Sequence, residues 1–150
     1  MTTGPGQPRR GGVRGIDHWV IVAADLERTL TFYADLGFTI AWEHREGRPG
    51  PGMPTIRVNE AQKINVHGPD WPDRPGYLGA RRPGVGGADF CLEWDGTVQQ
   101  VLDLLQENGV VPEVGPATRT CARGPSTSVY FRDPDGNLVE FTVYDDAPRR

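Results

Sequence analysis

The sequence has almost no lysine, and its basic residues are thinly spread. Lys63 is the only lysine among the 16 lysines and arginines, and the arginines are scattered apart from three Arg-Arg pairs. Nothing resembles the basic stripe of a nucleic-acid-binding protein, and the formal net charge is -4. We therefore expect no nucleic-acid partner.

Long hydrophobic runs are also missing. No stretch approaches the roughly 20 apolar residues that a membrane-spanning helix needs. Residues 1–14 are rich in Gly, Pro and Arg and lack the apolar core of a secretory signal. We expect residues 1–14 to form a flexible arm, residues 147–150 to be disordered, and the protein to be cytoplasmic without a membrane partner.

Cysteine is scarce. Cys91 and Cys121 are the only two, and they have no CxxC spacing, so neither a disulfide framework nor a thiolate zinc motif is predicted. Cys91 is more simply a small hydrophobic residue than a nucleophile, and nothing in the sequence gives Cys121 a role. The Gly- and Pro-rich turn at residues 47–52 lacks the GxxxxGK pattern of a phosphate-binding loop.

The sequence does contain two distant copies of one pattern. A β-branched strand that begins near His18 leads into an amphipathic helix closed by Gly37, and a strand near Asp89 leads into a helix closed by Gly109. His18 and Asp89 are 71 positions apart, and Gly37 and Gly109 are 72 apart. A repeat of this length indicates two equivalent modules that face each other rather than a solenoid. Length and composition fit one α+β domain over residues 15–146.

Hydrophobic periodicity gives each module the order β-α-β-β-β. Module one covers about residues 15–68, a Pro- and Gly-rich linker covers 69–87, and module two covers about 88–145. Asp25 and Thr97 are candidate helix N-caps. The predicted strands are 16–24, 38–46, 54–58, 62–68, 88–94, 111–118, 126–132 and 137–144, and the predicted helices follow Asp25 and span 97–108.

Strand alternation places ligand-capable side chains away from each helix. His18, His67, Asp89 and Glu140 would supply two nitrogen and two oxygen donors to one divalent ion of the Zn, Ni, Co, Mn or Fe type. Each has a plainer interpretation: a structural histidine for His18, a solvent-exposed strand end for His67, and a loop cap or arginine pair for Asp89. Glu140 is the strongest indication of a metal site, because an unpaired carboxylate in an otherwise apolar strand costs folding free energy unless something compensates its charge.

The same residues carry a resemblance to a known family. The segments 16–25, 32–33, 36–38 and 132–140 resemble the vicinal oxygen chelate superfamily, which includes glyoxalase I, extradiol dioxygenases and bleomycin-binding proteins. Within it, the chain is similar to glyoxalase-domain-containing protein 5 and to bacterial virulence-associated proteins. The segments that carry this second likeness are 62–67, 87–91, 114–116, 119–120, 124–125 and 128–130.

The resemblance implies two βαβββ modules whose mixed sheets curl around a metal-binding cleft. Family ligands lie on the first, fourth, fifth and eighth strands, and His18 and Glu140 match two of them. The chain departs from the common pattern at Asn65, which replaces the fourth-strand carboxylate, and at Asp89, which replaces the fifth-strand histidine. His67 lies two residues beyond Asn65 on the same face.

These residues favour a metal-dependent glyoxalase-like lyase or isomerase that acts on a small substrate with vicinal oxygens. Glu140, or a metal-bound water, would move a proton between adjacent carbons of the substrate. We expect a homodimer and leave open whether the cleft lies within one chain or across two. The predicted substrate-binding residues are Asn65, Cys91, Tyr130 and Arg132.

Two other functions stay open. An extradiol-type dioxygenase would use Fe(II) held by two histidines and a carboxylate, but one histidine would come from an unusual strand. A metal-free antibiotic-binding protein would use the cleft without chemistry, with the four tryptophans available for stacking.

Overall fold

The computed structural model describes residues 11–44, 46–47 and 49–145. The predictions for residues 1–10 of the N-terminal arm and for the C-terminal tail lie outside the described residues. The secondary structure, in chain order, is β1 His18–Val22, α1 Leu26–Asp35, β2 Thr39–Glu43, β3 Met53–Arg57, β4 Lys63–His67, a short 3₁₀ helix Trp71–Asp73, β5 Asp89–Glu93, α2 Val98–Glu107, β6 Val114–Cys121, β7 Gly124–Arg132 and β8 Leu138–Tyr144. Neither α-helix in the described part of the chain is long and apolar enough to cross a membrane.

Both α-helices begin and end in the way that the sequence predicts. The Asp25 carboxylate accepts a hydrogen bond from the Arg28 backbone N–H, and Thr97 forms a capping box with Gln100. Gly37 and Gly109 follow the two helices at φ +96° and +68°, a backbone conformation that side chains with a Cβ rarely adopt. The repeat therefore extends to the local geometry of the helix ends.

The strands form two four-stranded mixed sheets of identical topology. Sheet one has the order β1-β4-β3-β2 and sheet two the order β5-β8-β7-β6. In each sheet the first and last strands of the module are parallel neighbours, and the remaining pairs are antiparallel. The predicted α+β fold of two βαβββ modules is confirmed.

Each sheet buries one face beneath a helix, and the two buried faces merge into a continuous core. The core of module one includes Ile21 and Tyr33, and the core of module two includes Val101 and Phe141. All four side chains are buried. Trp19 on β1 meets Phe90 on β5 with ring centroids 5.1 Å apart. The modules therefore pack through their apolar sides, which leaves the polar side of each sheet facing outward.

A polar turn at residues 133–137, between β7 and β8, fastens module two to module one. Asp133 is buried and accepts hydrogen bonds from the Tyr33 hydroxyl and the Asn137 side chain, both at 2.8 Å. Asp135 accepts from the Ala24 backbone N–H at 2.9 Å and from the Thr29 hydroxyl. The Asp-Pro-Asp-Gly-Asn segment is thus a hairpin turn, as predicted, and also a link between the modules.

Two differences from the sequence prediction affect the candidate site residues and their neighbours. β6 runs from Val114 to Cys121 rather than over 111–118, because its pairing with β7 continues to Cys121 opposite Gly124. The segment predicted as a linker at residues 69–87 contains the 3₁₀ helix, and Trp71 stacks on the His67 ring with centroids 4.6 Å apart. His67 is consequently buried rather than exposed at a strand end.

Candidate metal and substrate site

The polar faces of the two sheets carry the predicted site residues. His18 is exposed on sheet one and Asp89 is exposed on sheet two, while the side chain of Val20 beside His18 keeps 43% of its surface accessible. Neither α-helix of the described chain covers these faces, because both pack on the apolar side of their sheets, whereas Trp71 of the 3₁₀ helix packs on His67 of β4. The faces are therefore available to a ligand or to a second protein surface.

Strand register places four site residues at equivalent positions of the two modules. His18 is paired with Lys63 across the parallel β1–β4 ladder, and Asn65 follows Lys63 by two residues. Asp89 is paired with Leu138 across the β5–β8 ladder, and Glu140 follows Leu138 by two residues. Because residues two apart on a strand share a face, each module presents one residue from its first strand and one from its last strand as a diagonal pair.

The His18 ring is oriented by its sequence neighbour. Its Nδ1 lies 2.7 Å from the Asp17 carboxylate, and this interaction lowers the pKa of Asp17. Metal-binding histidines commonly donate one ring N–H to a carboxylate in this way, which leaves the other nitrogen as the ligand. The arrangement is suited to binding an ion through Nε2.

Asn65 is a buried amide that lacks a partner for its oxygen. The residue is 7% exposed, and Oδ1 has no hydrogen-bond partner among the described residues. Burying an amide oxygen without a partner costs free energy. An amide oxygen is also an acceptable ligand for a divalent ion, so Asn65 fits either a metal or a substrate donor group.

His67 lies farther from His18 along the sheet than Asn65 does. Val22, not His18, is opposite His67 in the parallel ladder, so the two histidines are four residues apart along neighbouring strands. At about 3.3 Å per residue this offset is about 13 Å, whereas each metal–nitrogen bond is only about 2 Å. Asn65, two residues from the position opposite His18, is the nearer residue of β4 on this face. The grouping of His18 with His67 at one ion stays a prediction.

Glu140 lies among sulfur and hydroxyl groups. It is paired with Cys91 across the β5–β8 ladder, and the Cys121 thiol is 4.0 Å from its Oε1. Loss of hydration, reinforced by the charge of Glu140, raises the pKa of the Cys91 thiol, although the residue as a whole is exposed. Among the residues that the structure describes, Glu140 has no ion-pair partner.

Tyr130 connects Glu140 to an arginine. The Arg119 Nε donates to the Tyr130 hydroxyl at 2.9 Å, and the guanidinium also lies over the Tyr130 ring, 5.2 Å from its centroid. Partial burial and the interaction with Glu140 raise the pKa of Tyr130 against the opposing effect of Arg119. The phenol is held protonated beside the carboxylate, where it can donate a hydrogen bond.

Arg132, predicted to bind substrate, is occupied by other contacts. Its Nε lies 2.5 Å from the Glu113 carboxylate, and its Nη1 donates to the Gly136 carbonyl at 3.2 Å. The pair lowers the pKa of Glu113. The structure therefore assigns Arg132 to a surface ion pair at the 133–137 turn.

Within one chain, only part of the predicted site comes together. In the described ranges, the single group of three or more His, Cys, Asp or Glu ligand atoms within 4.8 Å of one another is Cys91, Cys121 and Glu140. His18 and Asp89 are outside it. Sequence reasoning missed Cys121, whose place depends on the curl of the β6–β7 hairpin, and Arg119, which was noticed only as part of a family-like segment.

The sequence and the fold agree with one family. The model of the Glyoxalase/Bleomycin resistance protein/Dioxygenase superfamily matches residues 15–141. The chain belongs to this superfamily. Glyoxalase domain-containing protein RDO1 of Mycosarcoma maydis is 36% identical over 141 residues, which are 94% of this chain and 74% of that protein.

A second relative in the superfamily has a crystal structure. Virulence protein STM3117 of Salmonella typhimurium is 35% identical over 130 residues, which are 86% of this chain and 83% of that protein. Its crystal structure superposes with a TM-score of 0.78 and covers 89% of this chain and 99% of that one. The predicted likeness to virulence-associated glyoxalase-domain proteins is confirmed.

Two solved structures that are less than 25% identical to this chain share its fold alone. Lactoylglutathione lyase from Agrobacterium tumefaciens superposes with a TM-score of 0.66 at 22% identity, covering 88% of this chain and 95% of that one. TnmS3, an antibiotic binding protein from Streptomyces, superposes with a TM-score of 0.64 at 19% identity, covering 89% and 98%. The fold is therefore compatible with both catalysis and binding.

Proposed function

We propose that the protein is a divalent-metal-dependent lyase or isomerase of the glyoxalase type, acting on a small substrate with vicinal oxygens. The observation that carries the proposal is the register equivalence of His18 and Asn65 on sheet one with Asp89 and Glu140 on sheet two. Four donor side chains at matching positions of two repeated modules would supply the two halves of one site.

The donor types of this set fit a divalent ion. His18 offers a nitrogen backed by Asp17, and Asn65 offers a buried oxygen without a hydrogen-bond partner in the described structure. Asp89 and Glu140 add two carboxylates, so the set balances the charge of the ion. When bound, the metal would act as a Lewis acid toward the vicinal oxygens of the substrate.

The residues around Glu140 are suited to proton transfer. Its carboxylate has no ion-pair partner within the described chain, so no cation opposes its use as a base. Tyr130, fixed by Arg119, can donate a hydrogen bond to Glu140 or to an anionic substrate oxygen. Together they would hold and move a proton between adjacent carbons of the substrate.

The cleft that unites the two halves is proposed to form between two copies of the chain. In one chain the modules join through their apolar sides, as the Trp19–Phe90 contact shows, and their polar faces point outward. His18 and Glu140 are not gathered within one chain. A twofold dimer would set sheet one of each copy against sheet two of the other and complete two identical sites.

Metal binding by mixed dimers tests this proposal. His18→Asn and Glu140→Gln each change one donor, the first on sheet one and the second on sheet two, so each homodimer should bind Mn²⁺ or Ni²⁺ at least about 100-fold more weakly than the unmodified protein. Heterodimers of the two variants, isolated through two different affinity tags, should regain about one ion per dimer because one of their two sites is intact.

Two other results would contradict the proposal. If the site lies within one chain, the heterodimers bind no ion at that affinity. If the unmodified, chelator-treated protein binds no divalent ion but does bind small molecules, it is a binding protein and the proposed reaction fails. Deuterium exchange from solvent into α-hydroxy aldehydes and ketones, dependent on Glu140 and on added metal, would support the reaction itself.

A further inference from the structure

Two thiols and a carboxylate meet on the polar face of sheet two, apart from the His18 half of the proposed site. The Sγ atoms of Cys91 and Cys121 and a carboxylate oxygen of Glu140 all lie within 4.8 Å of one another. They come from three different strands, β5, β6 and β8. The sequence alone gives no sign of this meeting, because the two cysteines are 30 positions apart.

The cluster is built on well-ordered strand pairing. Cys91 and Glu140 are opposite each other in the parallel β5–β8 ladder, which fixes their separation. Cys121 is the last residue of β6, and its thiol is held by a hydrogen bond from the Ser126 hydroxyl at 3.1 Å and by contact with the Thr142 hydroxyl at 3.5 Å. Ser126 and Thr142 are buried, so these outer contacts are protected from water.

The distances are close to those of an ion's coordination sphere. Metal–sulfur bonds of about 2.3 Å and metal–oxygen bonds of about 2.0–2.2 Å place neighbouring tetrahedral donors roughly 3.4–3.8 Å apart. Side-chain rotations that shorten the present separations by about 1 Å would therefore suffice. Because the face of the sheet is open, a water or substrate atom can take a fourth position.

The chemistry favours a cation over a disulfide or a nucleophile. A reactive cysteine needs a positively charged, thiolate-stabilising environment, whereas the groups clustered with the Cys91 thiol are the Glu140 carboxylate and the Cys121 thiol. A bound cation would replace the thiol protons and be attracted by the negative charge of Glu140. Thiolate donors select Zn²⁺ and similar soft ions over Mg²⁺ or Mn²⁺.

We propose that Cys91, Cys121 and Glu140 form a site for a thiophilic divalent cation such as Zn²⁺ or Cd²⁺, complete within one chain. The proposal does not rest on the proposed function, because His18 and the second copy take no part. Since Glu140 belongs to both donor sets, an ion held by the thiolates would compete with the proposed catalytic ion for that carboxylate.

Cadmium titration of the reduced, chelator-treated protein tests this site. Cd²⁺ should produce the near-ultraviolet thiolate-to-cadmium charge-transfer absorption, with release of protons and loss of thiol reactivity toward Ellman's reagent, and Zn²⁺ should compete. Cys91→Ser and Cys121→Ser should each weaken binding by more than about 100-fold, beyond the effect typical of losing an outer contact. Ser126→Ala, which removes only such a contact to Cys121, should weaken it by about 10-fold.

His18→Asn is the matched control. It removes a donor of the proposed catalytic set and should leave the cadmium absorption and affinity unchanged, so failure of one proposal does not entail failure of the other. Circular dichroism checks that each serine variant is folded. The site is refuted if the unmodified protein shows no charge-transfer absorption, or if a folded serine variant binds Cd²⁺ as tightly as the unmodified protein.

Discussion

At the scale of single residues, Tyr33 shows how a buried polar group joins the two modules. Its ring is fully buried in the core of module one, and its hydroxyl donates to Asp133 of module two. Burial is the main cause that raises the pKa of Tyr33, and the negative charge of Asp133 adds to it. The folded protein therefore holds the phenolic proton more tightly than the unfolded chain does.

This proton makes stability depend on alkaline pH. An unfolded tyrosine titrates near pH 10, so the contribution of the Tyr33 proton is complete below about pH 10 and is lost as pH rises further. We expect the free energy of unfolding, measured by urea denaturation, to fall between about pH 10 and 11.5 more steeply in the unmodified protein than in Tyr33→Phe. At pH 8 this variant should be less stable by about 1 kcal/mol, from the lost hydrogen bond.

Thr29→Val separates the titration from the hydrogen bonding. It removes another buried hydroxyl of α1, one that donates to Asp135 of the same turn but does not ionise in this range. The variant should lose stability while keeping the alkaline slope of the unmodified protein. Parallel slopes for the unmodified protein and Tyr33→Phe would contradict the assignment.

At the scale of secondary-structure elements, the caps of the two helices could be predicted from the sequence because each cap depends on a few adjacent residues. The Thr97 hydroxyl accepts from the Gln100 backbone N–H at 3.2 Å, and the Gln100 side chain accepts from the Thr97 N–H at 2.8 Å. Thr97→Ala should lower the free energy of unfolding by about 1 kcal/mol, whereas Thr97→Ser should cost much less because serine keeps the acceptor. Urea denaturation of the two variants measures the difference, and equal losses would contradict a capping role.

The strands could be predicted where apolar and polar residues alternate clearly. They could not be predicted where the pairing with a neighbouring strand sets the length of the strand. Phe141 alternates with the polar residues Glu140 and Thr142, so its buried face was assigned correctly from the sequence. β6 has the sequence Val-Gly-Pro-Ala-Thr-Arg-Thr-Cys, and all but two of its residues are exposed, so no apolar pattern marks its end at Cys121. Its extent is set instead by the ladder with β7.

At the scale of the whole molecule, the sequence predicts which face of its sheet each proposed metal ligand lies on. It does not predict which other side chains lie beside that ligand. His18 and Glu140 were assigned to polar faces from period-two alternation alone. The register of a parallel ladder leaves no such trace in the sequence, so the offset between His18 and His67 was hidden. The meeting of Cys91 with Cys121 was hidden for the same reason, since it depends on how four strands order and curl.

The two modules are expected to unfold as one unit because the 133–137 turn bridges them. Asp135 is the main acceptor of this bridge, since the Ala24 N–H and the Thr29 hydroxyl of module one both donate to it. Asp135→Ala leaves both donors without this partner and should lower the free energy of unfolding by about 2 kcal/mol. It should also accelerate hydrogen exchange at the Ala24 amide more than at amides in the centre of β8.

Asp103→Ala provides the comparison for a carboxylate without a bridging role. Asp103 is on the exposed side of α2 and, among the described residues, its side chain accepts from Gln99 of the same helix alone, so its loss should change stability by less than about 0.5 kcal/mol. If Asp135→Ala behaves like Asp103→Ala, or if exchange rises equally in both modules, the turn does not couple them. The apolar contact between Trp19 and Phe90 would then be left as the principal link.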